Sequence, residues 1–140
     1  LAMLITPNLP EAEVLTGIRI IDPDKAELAA KHLFELNRHA VLIKGGHFSG
    51  EYSSDCLVFP KNGNAELLWL QAERIESENT HGTGCTLSSA IASFLAKGFD
   101  MEKAIKNAKD YIQAAITVGS QYKIGNGHGP VHHFHTLWQD

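Results

Sequence analysis

Two glycines flank a threonine in His81-Gly82-Thr83-Gly84-Cys85, and a run of small and apolar residues from Thr86 to Ala96 follows at once. Glycine lets backbone approach a ligand closely and take up angles that a side chain forbids. The first amides of the helix predicted there lack intrahelical acceptors, and the helix dipole places partial positive charge beside them. Together these features make an anion site of the kind that holds phosphate. Cys85 would sit at its mouth, where a thiolate is favoured over a free thiol. Gly-x-Gly ahead of a helix is also the signature of an ordinary tight turn. It is not a Walker A loop, because no Gly-Lys-Ser/Thr follows.

Two other stretches carry chemistry-bearing residues. Asn8 followed by Glu11 reads locally as a capping box opening a short helix that Gly17 ends. The apolar run Ala40-Val41-Leu42-Ile43 leads into Lys44-Gly45-Gly46-His47. α/β proteins often hold ligands at such carboxyl ends of strands, although a plain glycine turn with a solvated lysine has the same sequence. The tail from Ile124 to His135 is rich in glycine and histidine. Its four closely spaced histidines could bind a metal, but no cysteine or carboxylate joins them locally. A mobile loop with surface histidines is expected there.

The elements that must position these residues are legible in outline. Met3-Leu4-Ile5 and Ala40 to Ile43 read as buried strands, the second of them parallel. Cys56 to Phe59 and Glu66 to Leu70 read as two strands joined through Asn62-Gly63, a hairpin signal. Cys56, inside an apolar strand, is expected to pack as a small hydrophobe. Asp22-Pro23 opens a helix whose Ala26, Ala29, Ala30 and Leu33 share one face. The helix from about Thr86 to Lys97 is almost wholly small or apolar and should be buried. Asp100 caps a last helix with Met101, Ala104, Ile105, Ala108, Ile112, Ala115 and Gly119 inward, and Glu102, Lys103, Lys106, Lys109 and Asp110 on a solvated face. Alternating strands and helices indicate an α/β layer fold, α/β/α with a mostly parallel sheet and one β-hairpin.

Composition narrows the function classes. The 140 residues are 44% hydrophobic and 20% charged, which suits a single unit over residues 1–140 with a real core. A net charge of −4 without a basic block gives no electrostatic footprint for nucleic acid. No apolar run is long enough to span a bilayer, so no membrane partner is expected. Two cysteines are too few for a disulfide framework, and a reduced, cytoplasmic setting is expected. The start at Leu1, without methionine, points to a fragment or a processed product.

Several motifs fall in one order: Thr6-Pro7-Asn8-x-x-Glu11, a strand ending in Lys44-Gly45-Gly46-His47, a hairpin, His81-Gly82-Thr83-Gly84-Cys85 before a helix, and the tail Gly127-His128-Gly129-Pro130-Val131-His132-His133. This combination closely resembles the C-terminal half of bacterial hydroxymethylpyrimidine/phosphomethylpyrimidine kinases, thiamine-biosynthesis enzymes of the ribokinase-like superfamily. The resemblance covers essentially the whole chain. It implies transfer of phosphoryl groups from ATP, with Mg2+, first to hydroxymethylpyrimidine and then to its monophosphate.

By that resemblance Gly82, Thr83 and Gly84 match the anion hole that would stabilise the transferring phosphoryl group. Cys85 matches the catalytic base, a position where many sugar kinases of the superfamily have aspartate. An unperturbed thiol, with a pKa of about 8.5, is only a few per cent thiolate at neutral pH, so a cysteine base needs the help of the helix N-terminus. His81 is its local rival. Asn8 and Glu11 match an Asn-x-x-Glu motif whose glutamate helps to place magnesium. Lys44, Gly45 and Gly46 match a nucleotide-side segment, with Lys44 near the phosphates.

Members of that family carry a long N-terminal half, which supplies the first βα units and most of the pyrimidine pocket. The chain is thus expected to hold the nucleotide-binding part of such a domain, with a sheet edge left uncovered. The expected partner is a small-molecule substrate, with a homo-oligomer left open. A pyridoxal kinase with the same Gly-Thr-Gly-Cys motif, and a nucleotide-binding fragment without catalysis, are the competing readings. A regulatory pyrimidine-binding domain would leave base, anion hole and metal motif without a purpose.

Overall fold

The computed structural model describes residues 2–45 and 51–138. The chain divides into two compact units, Leu1–Arg74 and Ile75–Asp140.

The first unit contains the sheet, in the order β1 (Leu4–Ile5), β2 (Ala40–Ile43), β3 (Tyr52–Lys61) and β4 (Asn64–Glu73). Helices α1 (Leu9–Thr16) and α2 (Pro23–Asn37) lie between β1 and β2 in the chain. This β-α-α-β crossover is what allows β1 and β2 to run parallel. The other two pairings are antiparallel, so the described sheet is mixed and not mostly parallel. The hairpin accounts for the β3–β4 pairing: a two-residue connection can join only antiparallel strands. Asn62 and Gly63 form that connection with φ of 52° and 81°, the pair of positive angles that a type I′ turn requires.

Period-two alternation and the α2 stripe build one core. Val41 and Ile43 of β2, with Cys56 and Val58 of β3, pack against Ala26, Ala29, Ala30, Leu33 and Phe34 of α2. Leu42 and Leu57, one residue out of phase, are also fully buried, so these strands are covered on both faces. Cys56 is a packed hydrophobe, as expected, and burial pushes its thiol up to about 12. β1 is only half-buried and Met3 is exposed, in contrast to the buried strand expected there. Among the described residues β1 pairs on one side only, with β2.

The second unit pairs α3 (Thr83–Ala96) with α4 (Met101–Gly119). α3 begins at Thr83, three residues before the expected start, which puts Gly84 and Cys85 inside its first turn. Contrary to expectation, α3 is not a buried helix: Leu87 and Ile91 are its buried residues, because they form the i, i+4 stripe, and Ala92 and Ala96 are exposed. α4 keeps the predicted inward face, with Ala104, Ile105, Ala108, Ile112 and Ala115 buried. Lys109, expected on the solvated face, is buried as well. No helix among the described residues is long and apolar enough to cross a membrane.

The tail is not the free loop that its glycines suggest. Val131 is buried, His132 N donates to Ala115 O at 3.0 Å, and the Tyr111 hydroxyl donates to His133 O at 2.9 Å. The tail is stapled along α4.

Candidate functional site

In the first unit the candidate residues gather at the carboxyl ends of the two parallel strands. Asn8 follows β1 by three residues and Lys44 follows β2 directly; the two form an isolated parallel bridge, with Lys44 N donating to Pro7 O at 2.8 Å. Both halves of the capping box are present: Glu11 N donates to Asn8 Oδ1 at 2.8 Å, and Asn8 N donates to Glu11 Oε2 at 2.7 Å. The local reading of these residues as a cap is therefore correct. It leaves Glu11 Oε1 without a partner among the described residues, on an exposed side chain. Lys44 is half-buried and makes no ion pair among the described residues. Gly45 is buried, and its amide donates to Oδ1 of the buried Asp55 on β3 at 2.9 Å. Gly46 lies outside the described residues.

A magnesium ion needs few protein ligands, often one or two carboxylates completed by water and phosphate oxygens. One exposed carboxylate with an oxygen that has no partner among the described residues fits that need. Among the described residues no three His, Cys, Asp or Glu side chains converge as a closed metal site would require.

In the second unit Gly82, Thr83, Gly84 and Cys85 are brought together as the start of α3. Gly82 is the N-cap residue, with φ of 84°, a left-handed conformation open to glycine at little cost. It has no side chain with which to cap, and among the described residues no side-chain cap is made at this helix start. Thr83 turns its hydroxyl back onto Thr80 O at 2.7 Å, and Thr86 N makes the first intrahelical bond, to Gly82 O at 2.8 Å. Thr83 N donates to Thr80 O as well, at 3.3 Å, so among the described residues the Gly84 and Cys85 amides are the ones open to an acceptor from outside, in the field of the helix dipole. Cys85 is a free, exposed thiol in that same turn. It opens onto a groove of about 480 Å³ along α3, which Ser89, Ser93, Phe94 and Lys97 continue and Tyr111 and His133 close.

His81, the local rival as a base, has an exposed side chain, and its backbone is tied to the tail by His81 N donating to Gly129 O at 3.0 Å. Two polar residues that support the candidate segments were missed in the sequence. They are Asp55, under Gly45, and Asn79, whose side chain is buried two residues before His81. The only signal for Asp55 was a carboxylate at the head of an otherwise apolar strand. Asn79 had none.

Known proteins resemble the chain over nearly all of its length. The sequence profile described as phosphomethylpyrimidine kinase matches residues 1–132. The hydroxymethylpyrimidine/phosphomethylpyrimidine kinase of Rhizobium meliloti is 50% identical over 142 aligned positions, which cover 100% of the chain and 52% of that protein. Among solved structures, the ADP complex of Bacillus subtilis pyridoxal kinase superposes with a TM-score of 0.85 at 36% identity, covering 96% of the chain and 51% of that protein. The phosphomethylpyrimidine kinase of Clostridium difficile superposes with a TM-score of 0.63 at 40% identity, over 82% of the chain and 43% of that protein. The chain spans about half the length of the relatives it matches. Its fold is the ribokinase-like α/β fold, with the hairpin expected from Asn62-Gly63. With a profile match over nearly all of its length, the chain belongs to the phosphomethylpyrimidine kinase family.

Proposed function

We propose that this chain is the C-terminal, nucleotide-binding part of a kinase that phosphorylates hydroxymethylpyrimidine and then its monophosphate at the expense of ATP. The observation that carries the reading is the start of α3: an uncapped first turn with an exposed cysteine in it. Three other helix starts in this chain are closed by an Asn or Asp side chain, and this one is left for a ligand.

In the proposed reaction the amides of the Gly82–Cys85 turn hold the transferring phosphoryl group, whose charge spreads over its equatorial oxygens. The Cys85 thiolate takes the proton of the substrate hydroxyl. The hydroxyl oxygen then bonds to the γ-phosphorus of ATP as the bond to the bridging oxygen breaks and ADP leaves. By the family match, Lys44, next to Gly45 and without an ion pair among the described residues, supplies positive charge for the phosphates. Glu11, through its free oxygen, would hold magnesium directly or through water, while Asn8 keeps that carboxylate in place. Magnesium, when bound, neutralises charge on the β- and γ-phosphates.

Phosphoryl transfer from Mg-ATP to hydroxymethylpyrimidine and to its phosphate tests this, with Cys85→Ala alongside. Loss of a general base typically costs 10²–10⁴-fold, so kcat is expected to fall at least about a hundredfold while ADP binding persists. Turnover retained in the variant would sink the base assignment. ADP binding without turnover in the unsubstituted chain would favour a nucleotide half-site. Pyridoxal is a necessary second substrate, because the B. subtilis pyridoxal kinase overlays this chain closely.

A further inference from the structure

Asn79 is a buried polar side chain with two donors, and both are used. Its Nδ2 donates to Gly119 O at 2.7 Å and to Tyr122 O at 2.6 Å, at and just beyond the end of α4. Two carbonyl acceptors on one atom identify it as the nitrogen. Its Oδ1 therefore points the other way, onto Gly129. A Cβ built at Gly129 would stand 1.9 Å from Oδ1 and 2.8 Å from Cγ, so no residue other than glycine fits while Asn79 keeps its place. Gly129 O accepts from His81 N at 3.0 Å, and His81 is the residue that enters Gly82.

We propose that Asn79 and Gly129 are a positioning pair, which anchors the entry of the Gly82–Cys85 turn to the end of α4 and so aims its amides and the Cys85 thiol. The pair acts through the His81 amide and touches no reactant. This inference rests on the anion-binding role proposed above for the turn. A misplacement of about 1 Å at a catalytic group can cost about a hundredfold, which is why a glycine that permits one close contact matters so far from the chemistry.

The test uses the reaction of Cys85 with a thiol reagent, protected by inorganic phosphate, in the unsubstituted protein and in Asn79→Ala, Gly129→Ala and the double variant. Far-UV circular dichroism reports α3 and α4 in each. Phosphate is expected to slow Cys85 labelling in the unsubstituted protein. Each single variant should need at least about tenfold more phosphate for the same protection, with helical signal kept. The double variant should be no worse than Asn79→Ala alone, because removing Oδ1 makes room for the new methyl group. In turnover, kcat should fall with KM for hydroxymethylpyrimidine unchanged within about twofold.

Protection unchanged in both single variants would leave the turn standing and overturn the pair. Strictly additive losses in the double variant would overturn it too. No protection in the unsubstituted protein would remove the anion turn itself, and the pair with it. Loss of helical signal in both single variants would make the pair a determinant of folding and likewise end the proposal; loss in one leaves the decision to the other.

Discussion

The starts of α1 and α3 solve the same problem in opposite ways. At α1 the Asn8 side chain accepts from Glu11 N, and the Glu11 carboxylate accepts from Asn8 N, so the orphan donors are satisfied within the chain. At α3 a glycine occupies the cap position, no side chain caps the turn, and among the described residues the Gly84 and Cys85 amides are left without an acceptor. A good cap is worth about 1 kcal/mol, and α3 forgoes it. The cysteines follow the same division. Cys56, in the first unit, is fully buried with its thiol pushed up to about 12, chiefly by burial; Cys85 is exposed. The fold takes up Cys56 and most of the α1 cap, apart from one Glu11 oxygen, and keeps the Cys85 turn available, and availability is what marks a site.

The comparison can be broken by giving α3 the cap it lacks. Gly82→Asp would place a carboxylate where the phosphoryl group is proposed to bind, at a φ that aspartate tolerates better than most residues. Affinity for a non-hydrolysable ATP analogue, which keeps the γ-phosphate, measured by titration calorimetry, should fall about tenfold or more, with thermal stability little changed; unchanged affinity would mean that the open turn binds no transferring phosphoryl group. Alkaline unfolding tests the buried member of the cysteine pair. Its raised pKa stabilises the fold fully below about pH 9, the unfolded value. That contribution is lost as pH rises toward about 12, with a slope of at most about 1.4 kcal/mol per unit. In Cys56→Ala this part of the slope should vanish, whatever the stability at neutral pH; a slope that persists would assign it to other groups.

The capped start sharpens the contrast. Asn8→Ala should cost about 1 kcal/mol in urea unfolding, where the equivalent change at α3 has nothing to remove. A loss near zero would mean that water caps α1 as well as Asn8 does. The smallest effect is expected for Glu11→Gln, because glutamine can still accept from Asn8 N. Its stability should change by about 0.5 kcal/mol or less, while the magnesium needed for half-maximal turnover rises about threefold or more. An unchanged magnesium requirement would leave Glu11 as a cap alone.

What the sequence disclosed, and what it hid, follows the range of the interactions. The capping box at Asn8 and the Asn62-Gly63 turn were legible because every partner lies within a few residues. The start of α3 lies three residues ahead of where the sequence suggests it, since glycine at position 84 argues against helix and no capping residue announces the beginning. Its apolar composition promised burial that only Leu87 and Ile91 receive. Asn79 was invisible for a different reason: its acceptors lie 40 and 43 residues away, and Gly129 looks like any loop glycine until the atom opposite it is known. Lys44 and Gly45 were found as a pattern, but not Asp55, ten residues on, which fixes the Gly45 amide.

The hairpin turn also has a consequence in time. Strand register alternates faces with a period of two, so a slip of one residue in β3 against β4 would turn Asp55 to the opposite side and send Cys56 to its place. Hairpins close in about 1–10 μs, whereas the pairing of β2 with β1 must first close the loop through α1 and α2. The two residues Asn62 and Gly63 are therefore expected to settle early in folding, before β2 has a neighbour on its other side, which side chain will meet the Gly45 amide. An insertion in that turn, far from any reactant, would be felt as a slowly folding chain whose Lys44 segment has lost its anchor.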